Sequence, residues 1–95
     1  MQIQRTVAAS NDLINIYRYS LKEYGQQQAE KYFTNIDSAI QKIALNPYFY
    51  VKRVEFTPAI RICPERKHLI IYDLQADSIL IIRILHCKME LKEHL

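Results

Sequence analysis

The chain has 95 residues, of which 49% are apolar and 24% charged, and its net charge at pH 7 is +3. This composition is typical of a single folded domain, so it excludes bulk disorder, and the single glycine excludes a flexible linker or a glycine-rich phosphate loop. No apolar run approaches the roughly 20 residues of a membrane span, and the N-terminus lacks the apolar core of a signal peptide. We therefore expect one cytoplasmic domain over residues 1–95, with two free cysteines and no membrane contact.

The chain opens with a short predicted strand over residues 1–7, where apolar and polar positions alternate. Ser10 or Asn11 is then placed to cap a helix over residues 10–24, because its side-chain oxygen can accept from the unpaired amides of the first turn. Asp12 would lie in that first turn, where a negative charge suits the helix dipole.

Gly25 falls where a left-handed residue commonly ends a helix, and a second apolar pattern at helical spacing follows at once over residues 26–45. Asn46-Pro47 ends this second helix, because proline disfavours helical geometry in the residue before it. Two amphipathic helices separated by one glycine predict an antiparallel helical hairpin.

The second half of the chain is rich in β-branched residues, which are typical of strands. Three strands are predicted there: Ile60–Cys63 ended by Pro64, His68–Leu74, and Ser78–Leu85 after a turn at residues 75–77. Val51–Phe56 is a further candidate strand. The order β-α-α-β-β-β predicts an α+β fold, in which the N-terminal strand joins the later antiparallel strands in one twisted sheet.

The strand over residues 78–85 is apolar on both faces, which indicates a central strand covered on both sides. Alternation places Ile79 and Ile81 on one face, and Leu80, Ile82 and Ile84 on the other. A single helical hairpin covers one face, so the other must be closed by the tail, by loops or by a partner.

The histidine, cysteine and carboxylate side chains form no catalytic or metal-binding motif in the sequence. His86 and Cys87 are adjacent in a strand and would point to opposite faces, which argues against both a zinc pair and a Cys–His nucleophile. Four carboxylates that could form a catalytic pair fall in turns and in a polar tail: Asp73, Asp77, Glu90 and Glu93. We therefore expect neither a metal nor a cofactor.

Positive charge is concentrated in residues 52–67, which account for the whole net charge. Two interpretations remain open: a surface for a phosphate or an acidic partner, or charged protection of an edge strand against strand pairing between molecules. The basic residues of this window are Lys52, Arg53, Arg61, Arg66 and Lys67.

Arg83 and His86 interrupt the otherwise apolar last strand. Their spacing of three places them on opposite faces of a regular strand, and a buried Arg83 requires a partner, for which Glu55 or Asp73 is the expected carboxylate. His86 either caps the end of the strand or faces a partner.

Four short motifs occur in order along the chain: Tyr24-Gly25-x-x-Gln28-Ala29-x-x-Tyr32, Ala44-x-Asn46-Pro47, Pro58-Ala59-Ile60-Arg61 and Ile82-Arg83-Ile84-Leu85-His86-x-x-Met89. Together they resemble the motifs of the ParE toxins of the RelE/ParE superfamily, the toxic components of type II toxin–antitoxin modules. Pro58-Ala59-Ile60-Arg61 departs from the family's pattern by having Ala59 in place of glycine.

This resemblance implies a toxin that inhibits DNA gyrase by binding it, and that is neutralised by an antitoxin encoded in the same operon. No sequence-specific DNA binding is expected from the toxin alone. The basic residues of the 52–67 window become the candidates for target binding, and Ile79, Ile81 and Leu85 the candidates for antitoxin binding.

The RelE-type members of the same superfamily cleave messenger RNA on the ribosome, which gives an alternative function. Such a nuclease needs cations around the phosphate and an acid for the leaving oxygen. Arg61, Arg83 and His86 are the candidate catalytic residues on that interpretation. The chain has no tyrosine after Tyr72, whereas RelE-type nucleases usually carry a tyrosine or second histidine there, so gyrase binding is the preferred interpretation.

Overall fold

A computed structural model describes residues 1–95 and has the predicted order of strands and helices. The four strands form one sheet in the order β1-β4-β3-β2, in which β1 is parallel to β4 and the other pairs are antiparallel. The elements are β1 (Gln2–Arg5), α1 (Val7–Tyr24), α2 (Gln26–Leu45), β2 (Arg61–Glu65), β3 (His68–Leu74), β4 (Ser78–His86) and a short C-terminal α3 (Leu91–His94). The α+β class and the helical hairpin are confirmed.

Thr6, rather than Ser10 or Asn11, caps α1. Its Oγ1 accepts a hydrogen bond from the Ala9 amide at 3.0 Å and donates one to the Ile82 carbonyl of β4 at 2.7 Å. The predicted start at residue 10 was wrong because this hydroxyl serves the helix and the sheet at once. Asp12 consequently lies beyond the first turn of α1.

Gly25 forms the whole connection between the two helices. Its φ of 87° lies in the left-handed region, which glycine adopts without the steric cost that a Cβ brings. Its amide donates to the Leu21 carbonyl, and its own carbonyl accepts from the Ala29 amide, so one residue ends α1 and begins α2. The second helix ends at Leu45 before Asn46-Pro47, as predicted.

The main core lies between the helical hairpin and one face of the sheet. It includes Ile36, Ile40 and Ile43 of α2, which pack with Ile70 and Tyr72 of β3. The Tyr72 hydroxyl donates to the Pro47 carbonyl at 2.9 Å, so this buried polar atom is satisfied.

A bulge in β4 changes the predicted facing of its side chains. Ile71 pairs with Arg83 and Tyr72 with Ile81, so Ile82 has no opposite residue in β3. Ile84 therefore joins Ile79 and Ile81 in the main core instead of sharing the opposite face with Ile82. Alternation alone predicts the wrong face for every residue beyond such a bulge.

The opposite face of the sheet is closed by the chain itself. Ile60, Ile71 and Leu85 form a second buried cluster, against which Phe56 and Leu91 pack. The expectation of a strand over residues 51–56 was wrong: the segment makes only an isolated antiparallel bridge between Arg53 and Ile60 and then crosses the sheet face.

The edge strand β2 includes Pro64, which was predicted to end it. Pro64 pairs with Leu69 of β3. Proline has no amide hydrogen and is tolerated on an edge strand, where no further strand requires that donor. Because β2 is the edge, the basic residues of the 52–67 window lie along one side of the sheet.

Candidate functional site

The predicted basic residues fall into two groups at opposite ends of β2. Arg61 begins the strand, and the bridge between Arg53 and Ile60 holds Lys52 and Arg53 near the same end. Arg66 and Lys67 form the two-residue turn that follows the strand. Arg61 and Arg66 are five residue steps apart along the strand, which corresponds to about 17 Å.

The α2–β2 loop, residues 46–60, exposes an unusual amount of apolar surface. Next to Lys52 and Arg53, four large side chains between residues 48 and 54 leave most of their surface in water. They are Tyr48 (70% exposed), Phe49 (69%), Val51 (74%) and Val54 (76%). Aromatic and arginine side chains on one exposed surface are the usual composition of a protein-binding site.

Contacts with the loop hold Arg53 and Arg61 against aromatic rings. The Arg61 guanidinium lies 5.4 Å from the centre of the Tyr48 ring and donates to the Tyr50 carbonyl. The Arg53 guanidinium lies 5.7 Å from the Phe56 ring and pairs with Glu55 at 2.9 Å. Because these contacts already fix the arginine side chains in the free protein, less conformational entropy is lost when a partner binds.

Arg83 has a structural role. Its guanidinium Nε and Nη2 donate to the two oxygens of Asp12 at 2.8 and 2.9 Å, so the expected partners Glu55 and Asp73 were wrong. Asp12 Oδ2 also accepts from the Ile84 amide at 3.0 Å. The carboxylate raises the pKa of Arg83, and it fixes α1 against β4 beyond the point where β1 ends.

The candidate nuclease residues belong to different parts of the molecule. Arg61 lies on the edge strand beside the α2–β2 loop, and Arg83 is held by Asp12. His86 lies on the helix side of the sheet, facing His68 of β3 at 5.4 Å between ring centres. The three side chains have separate sets of contacts.

A cluster that was not predicted surrounds His86. The Tyr32 hydroxyl of α2 lies 2.5 Å from Nδ1 of His68, and His68 pairs across the sheet with His86. Burial and the neighbouring His86 lower the pKa of His68, so its imidazole is neutral at pH 7. The Lys88 amide donates to Nδ1 of His86 at 3.1 Å, so a neutral His86 carries its proton on Nε2.

This cluster forms part of the floor of a groove of about 750 Å³, here named the tyrosine–histidine groove. Its walls are one face of α1, the first turns of α2 and the turn between β2 and β3. The residues used below are Tyr19, Tyr24, Tyr32, His68, His86 and the turn pair 66–67. The pairing of His68 with His86 follows from the hairpin register, but Tyr32 comes from a distant helix.

The candidates for antitoxin binding are not accessible. Ile79 and Ile81 are fully buried in the main core beneath the helical hairpin. Leu85 is 2% exposed, because the chain's own loop and tail close the opposite face of the sheet, which was expected to be open. Any partner must therefore use other apolar side chains.

No group of three or more His, Cys, Asp or Glu side chains is placed to hold a metal ion. Cys63 is buried and Cys87 exposed, and both are free thiols. None of the helices combines the length and the apolar character needed to cross a membrane.

The fold and the sequence agree with those of known toxins. A solved structure described as the chromosomal ParDE TA system from P. aeruginosa superposes with a TM-score of 0.78 over 90% of this chain and 95% of that one, at 23% identity, which shows the shared fold. A family model for the ParE toxin of the type II toxin–antitoxin system, parDE, matches residues 3–91. The chain therefore belongs to the ParE toxin family.

Two relatives cover nearly the whole chain. Toxin ParE of Escherichia coli is 29% identical over 91 residues, which span 95% of this chain and 88% of that protein. Toxin ParE1 of Caulobacter vibrioides is 30% identical over 87 residues, which span 92% of this chain and 90% of that protein.

Proposed function

We propose that this toxin inhibits DNA gyrase in the cytoplasm by binding it through the α2–β2 loop, without a chemical step of its own. The observation that carries the proposal is the exposed apolar and basic surface of that loop. Tyr48 and Phe49 supply contact area, Lys52 and Arg53 supply charge, and an acidic surface on the target would complete the pairing.

The scattered nuclease candidates support binding rather than catalysis. A ribonuclease of the RelE type on these residues needs Arg61, Arg83 and His86 around one phosphate. The guanidinium of Arg83 is occupied by Asp12. To bring the three residues into one site, the ion pair between Arg83 and Asp12 would have to break, and side chains from both faces of the sheet would have to move.

We further propose that an antitoxin encoded in the same operon neutralises the toxin by covering the same loop. The buried state of Ile79, Ile81 and Leu85 leaves the loop as the largest continuous stretch of exposed apolar side chains in the chain sequence. A partner that buries Val51 and Val54 would exclude the target by occupying its contact surface.

Two assays on the purified protein test the mechanism: inhibition of DNA supercoiling by gyrase, and cleavage of ribosome-bound messenger RNA. We expect inhibited supercoiling with intact messenger. The double charge reversal Lys52→Glu/Arg53→Glu should weaken inhibition by about tenfold or more, since it reverses both charges next to the aromatic contacts.

The matched control is Lys31→Glu, an exposed lysine in α2 outside the loop. It should inhibit supercoiling as the unchanged protein does. Messenger cleavage that is abolished by His86→Ala, with supercoiling unaffected, would replace this proposal by the RelE-type alternative.

A further inference from the structure

The tyrosine–histidine groove lies at the opposite end of β2 from the proposed gyrase-binding loop and has no part in that proposal. We infer that this groove binds a nucleoside phosphate, with the base stacked on its tyrosines and the phosphate held by Arg66, Lys67 and the paired histidines. The size of the groove, about 750 Å³, falls within the roughly 300–1,000 Å³ of sites that hold small ligands.

The aromatic wall has the exposure that stacking requires. Tyr19 is 61% exposed and Tyr24 is 59% exposed, and their rings meet edge to face with centres 6.5 Å apart. Both line the groove, together with the half-buried Tyr32. An aromatic ring stacks on any base, because every base presents a π-face, so this wall fits a nucleobase without selecting one.

The opposite wall offers donors to a phosphate. Arg66 and Lys67 line the groove from the turn, and Arg66 has a left-handed φ of 54°. Because the Lys88 amide donates to Nδ1 of His86, the neutral imidazole carries its proton on Nε2, where it can be donated to a phosphate. Glu65 approaches Arg66 only at 3.7 Å, so it competes weakly for that guanidinium.

The single acidic residue on the groove wall is already neutralised. Asp12 lines the groove, but both of its oxygens accept from Arg83. The wall therefore has no free carboxylate to repel an anion. Cations and aromatic rings on facing sides of one groove are the combination found in sites that bind single-stranded nucleic acid.

Binding is measured by fluorescence anisotropy with labelled single-stranded RNA and DNA of about eight nucleotides, which is within the 4–16 nucleotides that such sites cover. Titrations between about 50 and 200 mM salt give the salt slope. Each phosphate contact on a single strand contributes about 0.7 to that slope, so Arg66→Gln/Lys67→Gln should lower its magnitude by about 1.4.

The stacking contact has its own pair of variants. Tyr24→Ala should weaken binding by about fivefold or more, whereas Tyr24→Phe keeps the ring and should bind as the unchanged protein does. Lys42→Gln is the matched charge control, because Lys42 lies about 15 Å along α2 from Tyr32. It should change neither the affinity nor the slope.

Competition with adenosine monophosphate distinguishes a site for free nucleotides from a site that requires a nucleic-acid strand. Displacement of the labelled strand indicates a site for free nucleotides, and failure to displace it indicates that a strand is required; both outcomes support the inference. No binding of strand or mononucleotide at low salt, an equal loss with Lys42→Gln, or tighter binding of an acidic peptide would overturn it.

Discussion

At the scale of single residues, Asp12 has the most consequential contacts. Its carboxylate accepts two hydrogen bonds from the Arg83 guanidinium and one from the Ile84 amide. These bonds join α1 to the part of β4 that β1 does not reach. Removing this mostly buried carboxylate leaves the Ile84 amide without its side-chain acceptor, and leaves the Arg83 guanidinium with only the His94 carbonyl, at 3.4 Å.

Replacing this carboxylate should destabilise the fold. Breaking a buried ion pair costs about 3–5 kcal/mol, and because Arg83 and Asp12 remain 24% and 14% exposed, we expect Asp12→Ala to lower the free energy of unfolding by about 2–3 kcal/mol. Urea denaturation measures the change. Asp37→Ala, on the exposed surface of α2, should remain within about 0.5 kcal/mol of the unchanged protein; equal losses for the two variants would contradict this role.

His68 makes stability depend on pH. Its pKa is lowered from the ordinary value of 6.5, first by burial and then by His86 and Lys67, while Asp12 acts in the opposite direction. The unfolded chain therefore takes up a proton at a higher pH than the folded chain does. Stability is fully present above about pH 6.5 and is lost as the pH falls from there through the lowered pKa.

The corresponding variant is His68→Gln. The urea midpoint of the unchanged protein should fall between pH 7 and pH 5 by more than that of His68→Gln, which cannot take up the proton. His94→Gln, in the C-terminal α3, serves as the control and should retain the full dependence. An identical fall in the unchanged protein and in His68→Gln would show that other groups cause it.

At the scale of elements, Thr6 connects the start of α1 to the bulge of β4. Thr6→Ala removes both the cap to Ala9 and the bond to the Ile82 carbonyl, so we expect a loss of about 1–2 kcal/mol in the free energy of unfolding. Thr6→Ser keeps the hydroxyl and should retain most of the stability. If the serine variant is as unstable as the alanine variant, packing of the methyl group matters more than capping.

The elements also show what local sequence predicts. Gly25 and Asn46-Pro47 bound their helices by backbone preferences that act within a few residues, and both boundaries are confirmed. Thr6 was missed because its hydroxyl bonds a carbonyl 76 residues away. The segment 51–56 has the composition of a strand but meets no partner beyond one bridge, since β2 already occupies the edge beside β3.

The candidate sites were less predictable than the fold, because they depend more on contacts between residues that are far apart in the sequence. The basic window was visible in the sequence, but its division into two groups depends on where β2 begins and ends. The partner of Arg83 lies 71 residues away in α1, and a carboxylate in a helix gives no local sign of it. The bulge at Ile82 decides which side chains reach the core, and no residue type marks it.

At the scale of the whole molecule, the exposed loop gives a test of antitoxin binding. Val51→Ser/Val54→Ser should leave the free energy of unfolding unchanged, since both side chains are mostly in water. It should weaken binding of the antitoxin by at least about tenfold, because each valine buried in a complex contributes about 1.5–3 kcal/mol. Calorimetric titration of the antitoxin measures the affinity.

The control for this test lies on the helical hairpin. Ile14→Ser changes an exposed apolar residue of α1, 48% exposed, and should bind the antitoxin normally. If the loop variant keeps its affinity for the antitoxin and Ile14→Ser loses affinity, the antitoxin binds the helical hairpin rather than the loop.

The most direct test of the central claim is a titration of gyrase at fixed concentration with the purified toxin, with DNA supercoiling as the readout. An inhibitor that acts by binding has no turnover, so we predict that inhibition rises with the toxin-to-gyrase ratio, saturates, and is reversed when antitoxin is added. Full supercoiling in the presence of excess folded toxin would contradict the account.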